Sequence, residues 1–549
     1  MLAFARRCRL MEGLMQDYPL NVVHIFEHGC RYFPRKEIVT VKEQGYHRYT
    51  VSEFEKRTRK LASALKKFGV QKGDRVATLA FNNYHHLECY FAIPCIGAVA
   101  HTLNLRLHPS QIGWIMNDAE DKVIFVQRTV APVLAQIPKP WPVKLVVLMG
   151  EGPDPGAIFE NTVDYEEFLS TGDEIEFEPI EENAAAGMCY TSGTTGDPKG
   201  VVYSHRSIFL HSFAVAMADT VGGCERDTVL TVVPMFHANA WGQCHSSLMV
   251  GSKQVLPDRF LSPDRLITVM QEEKVTVSAG VPTIWIGVLN ELDKRSIELP
   301  HLRMLLCGGS AVPVSLIEGF ARHGIRIVQG WGMTETSPLA AISVLRTWHE
   351  GLTDQEKFQI AAKQGVPPVG VEMRIVDLDT GKELPWDGKS IGEVQVKGPW
   401  IIKSYFKGRD PERFQDGWLK TGDVGTIDPD GYLQLVDRTK DLVKSGGEWI
   451  SSVDLENKIM GHPSVMEAAV IGVRHEKWGE RPIAIVVLKE EFKGKVSKQE
   501  ILDFIAPDVA KWWLPDDVIF VDELPKTSVG KFDKKVLRAK YSDILVSQK

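Results

Sequence analysis

At 549 residues, with 44% hydrophobic and 25% charged side chains, the chain has the composition of ordinary globular protein and the length of several structural units. A formal net charge of −7 argues against nucleic acid as the main partner. No run reaches the roughly 18 apolar residues that cross a bilayer, and eight cysteines without a Cys-x-x-Cys pair point to reduced thiols and a cytoplasmic location.

Met1–Leu10 carries Arg6, Arg7 and Arg9 and no acid, and Met11 offers a second start; the first ten residues are expected to be a start-site artefact or a disordered tail. Val22–Tyr32 is predicted as a short amphipathic helix and Ile38–Tyr49 as a strand pair. Thr50 and Glu53 form a capping box for the next helix, whose Leu61, Leu65 and Phe68 are spaced for one buried face. Strands over Arg75–Ala80, Ala98–Leu103, Lys122–Gln127 and Val143–Met149, with a helix over Tyr84–Gly97, imply α/β layers with largely parallel sheets.

Tyr190–Gly200 is the centre of the sequence. Thr191, Ser192, Thr194 and Thr195 alternate with Gly193 and Gly196, and Lys199 closes the run. Glycines let successive N–H groups turn toward one point, and hydroxyls and an ammonium complete a polyphosphate receptor. Apolar flanks place the loop between two strands; Pro198 and Gly200 around Lys199 distinguish it from a Walker A loop. A flexible Gly/Ser/Thr linker is the bland alternative. Further on, strands end at Pro234–Trp241, Pro282-Thr283, Gly308–Ala311 and Gly330–Thr336. In open α/β sheets these carboxyl ends gather on the ligand-binding rim. Short strands with turns from Val369 make a β-rich subdomain, and an α+β pattern follows Asp437–Asp441.

Thr191–Gly200, Trp331–Glu335, Thr421–Asp423, Asp437–Asp441 and Gly530-Lys531 stand in the order found in adenylate-forming enzymes, which the chain resembles over nearly its whole length. Pro234–Trp241 and Lys444–Ser451 resemble the medium- to long-chain fatty acyl-CoA synthetase branch. The resemblance implies a large N-terminal domain of layered α/β sheets over residues 1–436, including the β-rich subdomain 369–436. A hinge at 437–440 and a small α+β C-terminal domain at 441–549 follow. It implies an acid–thiol ligase that uses ATP, Mg²⁺ and coenzyme A and forms a homodimer; a fatty acid, which partitions into bilayers, adds the expectation of peripheral membrane contact without an integral segment.

By the same resemblance Thr191–Lys199 holds the phosphates, while Gly309, Gln329, Gly330 and Trp331 surround adenine. Asp423 and Arg438 approach the ribose, and Thr334, Lys440, Lys444 and Trp449 lie near the nucleotide. Thr191 and Glu335 contact Mg²⁺, His237 approaches the substrate carboxylate, and Trp241 is an aromatic gate. Val232, Ala240, Gly242 and Gly308 are expected to leave an apolar channel. Lys531 reaches the carboxylate and α-phosphate, with Lys199, His237 and Glu335 as further catalytic residues. Gly446 and Gly447 line a pantetheine tunnel once the tail has rotated. His85, His86, His237 and His245 form no persuasive metal set. The rivals are a peptide-synthetase adenylation domain, luciferase chemistry, a ligase for a short thioether or aryl acid, and a silent nucleotide-binding protein. The first lacks the acid expected beside Phe236-His237, and the last is disfavoured by the presence of Lys199, Glu335, Asp423 and Lys531.

Overall fold

Thr50 accepts a hydrogen bond from the Glu53 amide while the Glu53 carboxylate takes the Thr50 N–H, so the capping box starts the helix Val51–Phe68 as expected. Leu61 and Leu65 are fully buried, but Phe68 is 38% exposed: the helix ends at left-handed Gly69, one turn beyond the layer that covers its neighbours. This and all following geometry come from a computed structural model that describes residues 13–153, 161–191, 197–439, 441–445, 448–526, 532–542 and 544–545, with the backbone alone at 448 and 449.

Two large sheets carry the N-terminal part. The first has seven strands in the order Thr162–Asp164, Leu145–Met149, Asp121–Gln127, Arg75–Leu79, Val99–Thr102, Ala185–Tyr190 and Gly200–Ser204. All neighbours are parallel except the last pair, the two strands that flank the phosphate loop. The second has eight strands: Leu339–Ile342, Arg326–Gly332, Met304–Gly308, Val277–Gly280, Thr228–Thr231, Lys253–Leu256, Glu37–Val41 and Tyr46–Thr50. Its interior is parallel and each edge closes with an antiparallel partner. Apolar clusters fill both faces of each sheet, which is why the central strands read as nearly continuous hydrophobic runs.

A five-stranded antiparallel sheet follows, from Glu372–Val376 to Leu433–Arg438. Its last strand runs two residues past the boundary expected at 436: Asp437 pairs with Val424 and Arg438 with Asp423. Beyond it, a second five-stranded sheet built on Val465–His475 and Gly479–Leu488 packs under the helices Ser452–Met460 and Lys498–Ile505. The fold is thus layered α/β with a β-rich subdomain and a smaller α+β part. The Asp437 carboxylate joins them, accepting the Ser452 amide at 3.0 Å and the Ser452 hydroxyl at the start of the helix Ser452–Met460. Lys534 pairs with Glu456 at 2.8 Å and Arg538 with Asp441 at 2.6 Å around the same junction.

One buried ionic group braces the first sheet. Glu88 is fully buried, pairs with Arg57 at 2.7 Å and accepts the Tyr165 hydroxyl at 2.5 Å; Arg57 also pairs with Glu166 at 2.7 Å. Removing one partner of a buried pair strands the other charge. Arg57→Ala is therefore expected to destabilise the protein by about 3–5 kcal/mol in urea denaturation, and Arg57→Ala with Glu88→Gln to recover most of that loss.

Candidate active site

The parallel strands of the eight-stranded sheet deliver their carboxyl ends to one rim, where a cavity of ≈ 440 Å³ opens. Thr191, Lys199, His237, Trp241, Gly309, Gln329, Gly330, Trp331, Thr334, Glu335, Asp423 and Arg438 all line it. Residues far apart in sequence thus meet in one space. The strand Arg326–Gly332 runs three residues further than the sequence pattern suggests, so Gly330 and Trp331 are held by sheet hydrogen bonds rather than by a loop.

Asp423 is 5% exposed, and both of its oxygens are engaged. Trp331 Nε1 donates to Oδ2 at 2.9 Å, and Arg438 Nε lies 3.1 Å from Oδ1. Arg438 faces Asp423 as its cross-strand neighbour, so strand register sets the pair. Trp331 is 7% exposed, belonging both to the core of the β-rich subdomain and to the cavity wall.

Glu335 is buried at the end of the rim, and Tyr405 donates its hydroxyl to Oε1 at 2.5 Å. The Tyr405 ring lies 5.5 Å from the Lys199 ammonium, which pairs with Asp410. Burial, then the Arg413 guanidinium, hold Lys199 below the usual lysine range, with Glu335 and Glu412 opposing. At the neck of the phosphate loop the Thr191 amide donates to the Lys199 carbonyl at 2.9 Å. Tyr203 reaches across from the loop's outgoing strand to the Thr334 carbonyl at 2.8 Å.

The segment after His237 departs from the strand-end loop expected of it. Ala238, Asn239, Ala240, Trp241 and Gly242 all have φ between 43° and 75°, a left-handed turn of five residues. Only glycine enters this region without steric cost; each L-residue costs ~1–2 kcal/mol. The turn sets the Trp241 ring beside Gly308, where an added Cβ would meet it at 3.4 Å and the Gly330 carbonyl at 2.5 Å. Beneath Trp241 the cavity is walled by Val215, Val221, Val229, Val277 and Leu306, together with the polar Gln243, Ser246, Ser247 and Ser252, and buried Asp227 lies at the far end. Val232 lies in the cluster on the opposite face, and Ala240 packs into a third, so neither widens this channel. Strand alternation separates Val229 and Val233 from Leu230 and Val232.

Not every expected site residue reaches the cavity. Lys444 lies exposed on the hairpin Val443–Ser445/Glu448–Ile450, paired in register with Trp449, and does not line it. Ser192, Gly193, Thr194, Thr195, Gly196, Lys440, Gly446, Gly447, Lys531 and the Trp449 side chain fall outside the described residues. Conversely, Tyr405, Asp410 and Arg413 were not legible as site residues, because they sit in irregular chain whose neighbours come from the other sheets. The described residues include no cluster of three or more His, Cys, Asp or Glu suited to a metal, and no helix long and apolar enough to cross a membrane.

The model of the AMP-binding enzymes matches residues 26–406, and that of the AMP-binding enzyme C-terminal domain matches residues 454–531. The chain belongs to the AMP-binding enzyme family. It is 45% identical over 543 residues to a long-chain-fatty-acid–CoA ligase of Thermus thermophilus, covering 98% of both chains. It is 44% identical to a 3-methylmercaptopropionyl-CoA ligase of Ruegeria lacuscaerulensis, covering 97% of this chain and all of that one. Its fold matches the crystal structure of an anthranilate CoA ligase in complex with anthranoyl-AMP with a TM-score of 0.84 at 25% identity, over 97% of this chain and 100% of that one.

Losing a hydrogen bond to a charged group costs ~1.5–3 kcal/mol. Trp331→Phe keeps the ring but withdraws the donor from Asp423. It is expected to raise the KM for ATP about tenfold in a pyrophosphate-release assay and to lower the melting temperature by a few degrees, because a buried carboxylate oxygen loses its donor.

Proposed function

We propose that this AMP-binding enzyme joins a medium- to long-chain fatty acid to coenzyme A through an acyl-adenylate. A carboxylate oxygen attacks the α-phosphorus of ATP, and the bond to pyrophosphate breaks. The deprotonated thiol of coenzyme A then attacks the acyl carbon, and AMP leaves with the bridging oxygen. The observation that carries the reading is a single cavity that joins the polar rim to an apolar channel. From Gly308 to the level of Val229 its wall spans the paired strand Met304–Gly308, ~13 Å at the usual rise, and Asp227 lies two residues further along the chain from Val229. A short thioether acid would fill only the beginning of that length. Each buried methylene contributes ~0.8 kcal/mol, which favours a long alkyl chain.

The first step brings an anion to a polyanion, so positive charge must be supplied. Lys199 sits in the cavity beside the neck of the phosphate loop, and Lys531 is assigned the second cation. Thr191 and Glu335 offer hard oxygen donors on one wall, a set that suits Mg²⁺ sharing its shell with phosphate oxygens and waters. When bound, the ion neutralises charge on the phosphates. Trp331, Gly309, Gln329 and Gly330 form the adenine edge, with Thr334 beside it, and Asp423 with Arg438 faces the ribose hydroxyls. His237 and Trp241 lie between this rim and the channel, where the carboxylate must enter.

Rotation of the C-terminal part about the residues following Arg438, including Lys440, would withdraw Lys531 and bring Gly446 and Gly447 to the site. Lys444, which does not line the cavity in this arrangement, and Trp449 would approach the nucleotide in the rotated one. A cytoplasmic location fits the seven free thiols among the described residues; homodimer formation rests on the resemblance, and peripheral membrane contact on the partitioning of fatty acids into bilayers.

Lys531→Ala is expected to slow adenylation ~10²–10³-fold and to spare thioester formation from supplied acyl-adenylate. Equal loss in both half-reactions contradicts the assigned role. Pyrophosphate release measured over saturated acids of increasing length, and with 3-methylmercaptopropionate, tests the substrate. The expected kcat/KM rises with chain length until the channel is filled; a maximum at the thioether acid contradicts the fatty-acid reading.

A further inference from the structure

The chain between the strands Gly392–Lys397 and Trp418–Ile427 passes beside the phosphate loop, and residues 405–413 touch both of the loop's arms. On the incoming arm, the Tyr190 hydroxyl donates to Asp118 at 2.7 Å, and Asp118 pairs with Arg409 at 2.6 Å and with Lys407 at 3.1 Å. On the outgoing arm, Arg409 donates to the Pro198 carbonyl at 3.1 Å and Asp410 pairs with Lys199. Asp410 holds φ at 46°, a left-handed angle that aspartate tolerates better than most residues.

Arg413 completes the segment. Its Nε and one terminal nitrogen donate to the Lys420 and Thr421 carbonyls at 2.7 and 2.9 Å. Two carbonyls fix the planar fork, and the guanidinium lines the cavity with Lys199 and Thr191. Among the described residues no carboxylate lies within ion-pair distance of Arg413. Its charge also acts on Lys199, which is held below the usual lysine range by burial and by Arg413. The wall thus carries two cations, one neutralised by an internal carboxylate and one without a carboxylate partner. A half-buried guanidinium facing a cavity is a ready site for a phosphate oxygen.

We propose that residues 409–413 form the second wall of the triphosphate site, in which Arg413 takes a β- or γ-phosphate oxygen and Asp410 competes with the phosphates for Lys199. The inference rests on the nucleotide reading of the cavity. It predicts opposite signs for two neighbouring substitutions. Arg413→Ala loses an attractive contact; Asp410→Asn removes a competitor. AMP has no β- or γ-phosphate, so neither change should alter its binding. A purely structural Arg413 predicts something else: its carbonyl bonds hold Lys420 and Thr421 of the strand Trp418–Ile427 next to Asp423, so its loss would weaken AMP together with ATP.

The experiment is calorimetric titration of the full-length protein with MgATP and with AMP, in the absence of any acid substrate. Arg413→Ala should weaken MgATP at least tenfold and Arg413→Lys by an intermediate factor, Asp410→Asn should tighten MgATP several-fold, and AMP affinity should stay within about twofold throughout. If Arg413→Ala fails to fold, judged by circular dichroism, Arg413→Lys and Asp410→Asn still decide the question. Parallel weakening of ATP and AMP in the Arg413 variants, or MgATP affinity unchanged or reduced in Asp410→Asn, overturns the inference and leaves the nucleotide reading standing. Wild-type protein that binds neither nucleotide overturns both.

Discussion

The Asp423 carboxylate is the contact on which the rest of the site depends. One oxygen takes the indole N–H of Trp331 from the eight-stranded sheet, and the other meets Arg438 from the neighbouring strand of the β-rich sheet. A carboxylate this deeply buried is costly unless its oxygens are engaged. The two sheets therefore have a defined mutual position, and the strand leading to the C-terminal part starts from it. Asp437, adjacent to Arg438, passes the constraint on by gripping the first turn of the helix Ser452–Met460.

That frame produces a cavity of two characters. Its mouth gathers Lys199, Arg413 and Glu335, and Asp410 pairs with Lys199 from outside the lining, so the charges compensate one another incompletely. Its depth is walled by valine and leucine from the sheet face. A ligand with a polyanionic end and an apolar end satisfies both regions, and neither region alone specifies it. Between them stands Trp241 on a left-handed turn, a backbone state that persists only where its surroundings impose it. The residues on that turn are packed against the strand Ala185–Tyr190 and the Gly308 edge, which supply the compensation.

Much of this was readable from the residues, and for physical reasons. The helix Val22–Tyr32 has the predicted limits because the Asn21 cap and the apolar periodicity coincide there. The strand ends carrying Gly309, Trp331 and Glu335 gather as a parallel sheet requires. The left-handed turn was not readable, since Ala238, Asn239, Ala240 and Trp241 include no glycine to announce it. Tyr405 and Asp410 were invisible as site residues because their partners Glu335 and Lys199 are 70 and 211 positions away. Phe68 and Val232 show the limit of local pattern: periodicity names a face, but only the tertiary arrangement says where the covering layer stops and which face meets the channel.

In the proposed reaction an oxygen of the substrate acid becomes the bridge to AMP. A single turnover with ¹⁸O-labelled fatty acid, ATP and coenzyme A, followed by mass spectrometry of the nucleotide product, tests it directly. AMP carrying one labelled oxygen is expected; unlabelled AMP, or ADP with label in inorganic phosphate, would rule out an acyl-adenylate.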